Sequence, residues 1–132
     1  MSGVSIIRKL LMAKVSIPVM AGVMPQSTVL PAIGVMQISG RKHQTLSDDE
    51  TLEIESERIQ VTVVTKNYPD QKSYMRTVQR ACKAVEKWIS LTDDTVVCKS
   101  ITREFVGPDF YDLETGVFMQ SVDFMVKYQR ST

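Results

Sequence analysis

The run "RIQVTV", Arg58 to Val63, constrains this chain more than any other stretch. Ile59, Val61 and Val63 fall on one side of an extended backbone, and Arg58, Gln60 and Thr62 on the other. A strand with one dry and one wet side belongs to an antiparallel sheet covered on a single face. The run leads directly into "NYPD". Pro69 suits a first helical turn, where its missing N–H is no loss. Asp70 sets a negative charge near the positive end of the helix dipole.

The helix so begun is predicted over residues 69 to 90. Met75, Val78, Cys82, Val85 and Ile89 recur at steps of three and four, with Tyr74, Ala81 and Trp88 beside them, a broad apolar stripe to lay on the sheet. A shorter amphipathic helix is expected over residues 3 to 14 from Ile6, Ile7, Leu10, Leu11 and Ala13, with Arg8 and Lys14 on its polar side. Residues 16 to 30 are irregular, broken by Pro18, Gly22 and Pro25. A strand is expected from about 31 to 40, a polar hairpin loop from 41 to 51, and the alternating strand from about 52 to 66.

After a "TDDT" turn, residues 96 to 106 are β-branched but of mixed parity: Lys99 and Arg103 share a side with Val97, Ile101 and Phe105. "GPDFYDLETG" is a turn-rich connection. The final strand, about 116 to 129, puts Phe118, Val122, Phe124, Val126 and Tyr128 on one side and Met119, Ser121, Asp123 and Lys127 on the other. The expected fold is therefore α+β, in the order α-β-β-α-β-β: an antiparallel sheet of about four strands with helices packed on one face. All 132 residues are expected to form one domain, large enough to hold a core without staples.

The formal net charge of +1 argues against a dedicated nucleic-acid binder and permits self-association. Cys82 and Cys98 are too few and too widely spaced for a disulfide framework, and read as reduced core thiols of a cytosolic protein. "VSIIRKLLMAK" does not read as a signal peptide, because Arg8 and Lys9 interrupt its apolar run. No stretch reaches the ~20 apolar residues of a membrane span.

Nucleotide-binding and hydrolase patterns are missing from the sequence. "SGRKH" ends a strand rather than opening a phosphate-binding helix. His43 reads as a solvated loop residue, although Asp48, Asp49 and Glu50 follow it. "SDDETLEIE" lacks the ligand periodicity of a calcium loop. Cys82 suits core packing better than nucleophilic attack. The expectation is a protein with no catalytic function, cofactor or metal.

Two charge features stand out. Arg76, Arg80, Lys83 and Lys87 form a basic line along the expected long helix, and Asp48, Asp49, Glu50, Glu53, Glu55 and Glu57 gather in the loop and early second strand. Each reads first as a solvated face. Opposite patches on one small chain also allow head-to-tail pairing of identical subunits.

Taken in order, several segments resemble the small tail terminator or tail completion proteins of long-tailed bacteriophages. They are "MPQSTVLPAIGVMQISG" (Met24 to Gly40), "ESERIQVTVVT", "KNYPDQKSYMRTVQRAC" and "YDLETGVFMQSVDFMVKY". They span nearly the whole chain. The resemblance implies a virion protein, assembled in the bacterial cytoplasm, that forms a ring, hexameric in the family pattern, at the head-proximal end of the tail tube. Such a ring ends tube polymerisation and presents a joining surface to the head-completion (neck or stopper) protein. Genome DNA passes through its lumen without specific binding, and no membrane is involved.

The resemblance carries Arg58 and Gln60 over as pattern positions of the second strand, and Asp123 and Phe124 as those of the last. Each has an equally good structural reading, in fixing register or satisfying sheet groups. Candidate inter-subunit or tube contacts are Arg41, Lys42, His43, Asp48, Asp49 and Glu50 in the loop and Arg76, Arg80, Lys83 and Lys87 on the helix. The alternative readings are a head–tail joining (neck) or tail-assembly factor of similar fold that does not terminate the tube, a monomeric or dimeric binding module or chaperone absent from the particle, and a small hydrolase, which the missing nucleophile–base pair disfavours.

Overall fold

The computed structural model describes residues 2–22, 24–25, 28–43, 54–82, 87–90 and 95–130. The elements in order are α1 (Ser2–Met12), β1 (Val19–Ala21), β2 (Ala32–His43), β3 (Ile54–Thr65), α2 (Tyr68–Ala81), β4 (Lys87–Ser90), β5 (Thr95–Val106), β6 (Phe110–Asp112) and β7 (Val117–Arg130). The architecture is α+β. All seven strands join one sheet in the order β1-β2-β3-β7-β5-β4, with β6 pairing β7. Among the described residues only the β1–β2 pair is parallel.

The alternation in β3 holds. Ile59, Val61 and Val63 are fully buried, and Arg58, Gln60 and Thr62 are half-buried on the other face. Val122, Phe124, Val126 and Tyr128 of β7 lie beside them in the core. From α1, Val4, Ile6, Ile7 and Leu11 join this core, and from α2, Met75 and Val78. Both helices thus cover the same face, as the one-sided alternation requires. Arg8, on the polar side of α1, donates Nε–H to the Val19 carbonyl at 2.9 Å and ties the helix to β1.

At the start of α2, the Asn67 side chain accepts the Asp70 N–H at 2.9 Å, with Pro69 in the first turn. This end is built as "NYPD" predicts. The other end is not. The helix stops at Ala81, with Cys82 as its cap, and Lys87–Ser90 is a strand. Trp88 pairs Val97 and Ile89 pairs Val96. Ile89 is buried as the helical period predicts, but from the sheet. A short apolar run satisfies either period, and pairing with β5 supplies backbone partners that an isolated last helical turn lacks.

The expected sheet of about four strands also grows by β1 and β6, each three residues long and too short to show an alternation. β2 runs three residues past Gly40, so Arg41, Lys42 and His43 are strand residues paired to Ser56, Glu55 and Ile54, not loop residues. Two register shifts, at Cys98/Ser100 and Arg103/Phe105, explain the mixed parity of β5. Each bulge inserts one residue and reverses the sides that follow. Cys98, Ile101 and Val106 thereby share the core side, and Ser100, Thr102 and Phe105 the opposite one. Gly116, at φ +69, makes the turn into β7, its N–H donating to the Asp112 carbonyl at 2.7 Å.

Candidate interaction surface

The helix-free face of the sheet carries the polar residues of β3 and β7. Gln60 and Asp123 are direct cross-strand partners, with Arg58 on the diagonal. Arg58 donates from Nε (3.1 Å) and Nη2 (2.9 Å) to one oxygen of Asp123, and Gln60 Nε2 donates to the other at 3.4 Å. Asp123 is only 6% exposed. A carboxylate this buried requires charged and hydrogen-bonding partners, and these two residues supply them. The pair of Thr62 and Ser121 hydroxyls, 2.8 Å apart, extends the polar row. Beside Arg58 lies an open depression of about 460 Å³, lined by Ser39, Gly40, Ser56, Thr102, Glu104, Met125 and Lys127.

Three of the four pattern positions, Arg58, Gln60 and Asp123, therefore form one hydrogen-bonded group on the open face. Phe124 points the other way and is 1% exposed in the core. Arg76 and Arg80 are exposed on α2. The basic helical line does not continue, because Lys87 belongs to β4. Lys83, Asp48, Asp49 and Glu50 lie outside the described residues.

Glu57 leaves the expected acidic patch. It is 5% exposed and lies beneath the start of α1. Its carboxylate accepts the Gly3 N–H at 3.2 and 3.4 Å and the Tyr128 hydroxyl at 2.9 Å. It thereby serves an N–H in the first turn, which has no intrahelical acceptor, at the positive end of the helix dipole. A Cβ on Gly3 would meet Glu57 Oε2 at 2.9 Å, so glycine permits this approach. The sequence signal was present but ambiguous: Glu57 shares parity with the core residues Ile59 and Val61.

A second polar group anchors the segment between β5 and β6. Asp109 accepts from Lys72 Nζ (2.6 Å), the Tyr68 hydroxyl (2.8 Å) and Gln71 Nε2 (3.4 Å), all on α2. The Lys72 hydrogen bond, then that of Tyr68, holds the Asp109 carboxyl below its ordinary range. The same bond raises the Lys72 ammonium above its own. Gln120 Nε2 donates to the Gly107 carbonyl at 2.9 Å and fixes the same segment from β7. The fully buried Gln71 keeps its Oε1 without a partner.

With the segment so anchored, Phe105, Val106, Phe110, Tyr111 and Leu113 remain exposed at one end of the sheet. "DFYD" is the sequence signal for this cluster, and turn-rich composition conceals it.

Cys82 and Cys98 are both buried, and they form no disulfide. Burial, reinforced by the neighbouring Cys98, pushes the Cys82 thiol up to about 12. It stays protonated and packs as a small apolar group. Among the described residues no three His, Cys, Asp or Glu side chains gather as a metal site, and no helix is long and apolar enough to cross a membrane.

No protein-family model matches the chain, and no curated protein sequence matches it. Among solved structures, a chain of the virion of a native gene transfer agent (GTA) particle is similar in fold. The TM-score is 0.55 with 9% identity, over 95% of this chain and 85% of that one. At that identity the likeness shows a shared fold.

Proposed function

We propose that this chain is a structural virion protein that caps the head-proximal end of a phage tail tube. Copies of it form a ring, hexameric in the pattern it resembles, that ends tube polymerisation and offers a joining surface to the neck. The tube protein and the head-completion protein are its partners, the genome passes through its opening, and it performs no catalysis. The observation that carries this reading is a fold shared over nearly the full length with a chain of a virion particle. The ordered sequence motifs supply the finer role. The joined Arg58, Gln60 and Asp123 suit a protein whose polar open face is built to a fixed shape.

The test is electron microscopy of lysates from a phage in which the gene is interrupted. Overlong or unstable tubes beside filled, tailless heads are expected. Normal-length tails lying beside full heads would replace the terminator with a joining factor. Intact infectious particles would refute both.

A further inference from the structure

The two outer flanks of the sheet are only partly covered. β1 pairs β2 at Ile33–Val35, and among the described residues no strand flanks β2 from Met36 onward. On the opposite side, β4 pairs β5 only over Thr95–Cys98, and no described strand flanks its outer edge from Ser100 to Val106. Strand edges of this length are templates for another strand. Natural edges are commonly guarded by charge or proline, yet Met36 to Gly40 reads M-Q-I-S-G and has neither.

The two edges match. Successive rows across the sheet run Met36–Gln60–Asp123–Phe105, Gln37–Ile59–Phe124–Arg103, Ser39–Arg58–Met125–Thr102, Gly40–Glu57–Val126–Ile101 and Arg41–Ser56–Lys127–Ser100. Both open edges thus occupy the same height. Each carries a bulge beside the row of Ile59 and Phe124, at Gln37/Ser39 in β2 and Arg103/Phe105 in β5. The two bulges flank that row from opposite sides, so both edges gain added twist next to it. Each also exposes apolar side chains: Met36 (40%) and Ile38 (44%) on one, Phe105 (55%) and Val106 (39%) on the other.

The intervening pairs are all antiparallel, so β2 and β5 run in opposite directions. A rotation about an axis along the strands preserves strand direction. It brings β2 of one copy beside β5 of the next as an antiparallel pair, with rows already level.

We infer that a second copy of this chain docks edge to edge, its β5 from Ser100 to Val106 adding to β2 from Met36 onward and continuing the sheet between subunits. The contact is head-to-tail, so every copy keeps one edge open for the next. Backbone hydrogen bonds supply its affinity, and the exposed apolar pairs set its register. The inference rests on the proposed role only in taking copies of the chain to meet one another.

Sedimentation velocity over a concentration series tests it. One variant carries Met36→Lys with Ile38→Lys, the other Thr102→Lys with Phe105→Lys. All four positions are exposed, so both variants retain the fold, which circular dichroism checks. The native chain is expected to self-associate, and each variant alone to do so about tenfold more weakly or worse. An equimolar mixture retains one intact pair of edges and is expected to form a dimer that grows no further. A native chain monomeric throughout, a variant that assembles as the native does, or a mixture that stays monomeric would overturn the inference. Failure of the proposed role would instead show in the micrographs, whichever way the edges behave.

Discussion

The substitution Glu57→Gln isolates what a buried charge does for this fold. The amide keeps the side chain's shape and one acceptor oxygen. That oxygen can still receive the Tyr128 hydroxyl, now 2.9 Å away. The NH₂ group then replaces Oε2, which the Gly3 N–H approaches at 3.2 Å. A donor now faces a donor at the start of α1. The loss includes a charge-assisted hydrogen bond of about 1.5–3 kcal/mol. It also includes a helix-terminus interaction that reaches ~2 kcal/mol in partly buried sites. Relief of carboxylate desolvation offsets part of both. The expected net destabilisation is about 2 kcal/mol.

For a chain of this length that lowers Tm by roughly 6–8 °C. It lowers the urea midpoint by about 1 M, with an unchanged slope. Glu114→Gln, at an exposed turn residue, is the matched control, with an expected change within about 0.5 kcal/mol. Urea titrations and thermal melts of the two variants beside the native chain are sufficient. Equal shifts in both, or a change of less than about 1 °C for Glu57→Gln, would refute the claim that this carboxylate fastens α1 to the sheet.

Phe124→Ala removes a core ring and is expected to cost about 3–5 kcal/mol by urea titration; a cost below ~1 kcal/mol would contradict its placement. Arg58→Ala leaves the buried Asp123 carboxylate uncovered, whereas Asp123→Ala leaves a half-exposed guanidinium in water. Arg58→Ala should therefore destabilise more, and the double variant no more than Arg58→Ala alone, by about 1 kcal/mol of coupling; simple additivity would refute the pairing. Asp109, with its folded pKa depressed, contributes stability above its unfolded pKa of about 3.9 and loses it as pH falls through the folded value. Lys72, raised, contributes below about 10.4 and loses its share as pH climbs through its folded value. Amide exchange at Gly107 to Phe110 should therefore accelerate relative to Asp109→Asn at matched pH in acid, converging on the variant; a constant native-to-variant ratio across pH would exclude this anchor.

Several of these features are legible in the residues alone. The alternations in β3 and β7 set the core, the helices' common face and the polar open face, because period-two patterning and one-sided burial express the same constraint. Pro69 and Asp70 mark the start of α2. Its end is not legible: Cys82, Val85 and Ile89 continue a helical period, while the contact that makes Ile89 a strand residue is Val96. β1 and β6 exist only through their partners. The bulges in β5 depend on pairing with β7, so parity alone misplaces half of that strand. At the candidate surface, the motif positions indicate Arg58, Gln60 and Asp123 but not that they touch, nor that Phe124 faces the opposite side. Glu57 counts as surface charge by residue type and as core by parity. Parity prevails because α1 places a backbone donor above it.

The two buried carboxylates bear on how copies of this chain would meet. Glu57 and Asp123 both find cationic or hydrogen-bonding partners within their own subunit. The sheet therefore brings no unpaired buried carboxylate from these positions to a neighbour. Association through charge patches and association through strand edges then differ in one observable. Raising ionic strength from 0.01 M to 1 M shortens the screening length from about 30 Å to about 3 Å. A contact between Arg76 and Arg80 of one copy and an acidic segment of another would weaken steeply over that range. A contact made by backbone hydrogen bonds beside Met36, Ile38 and Phe105 loses little, because its donors and acceptors are neutral and its apolar burial is not screened. Sedimentation of the native chain across this salt series is expected to show nearly constant association. Dissociation by tenfold or more would favour the charged helix face over the sheet edge.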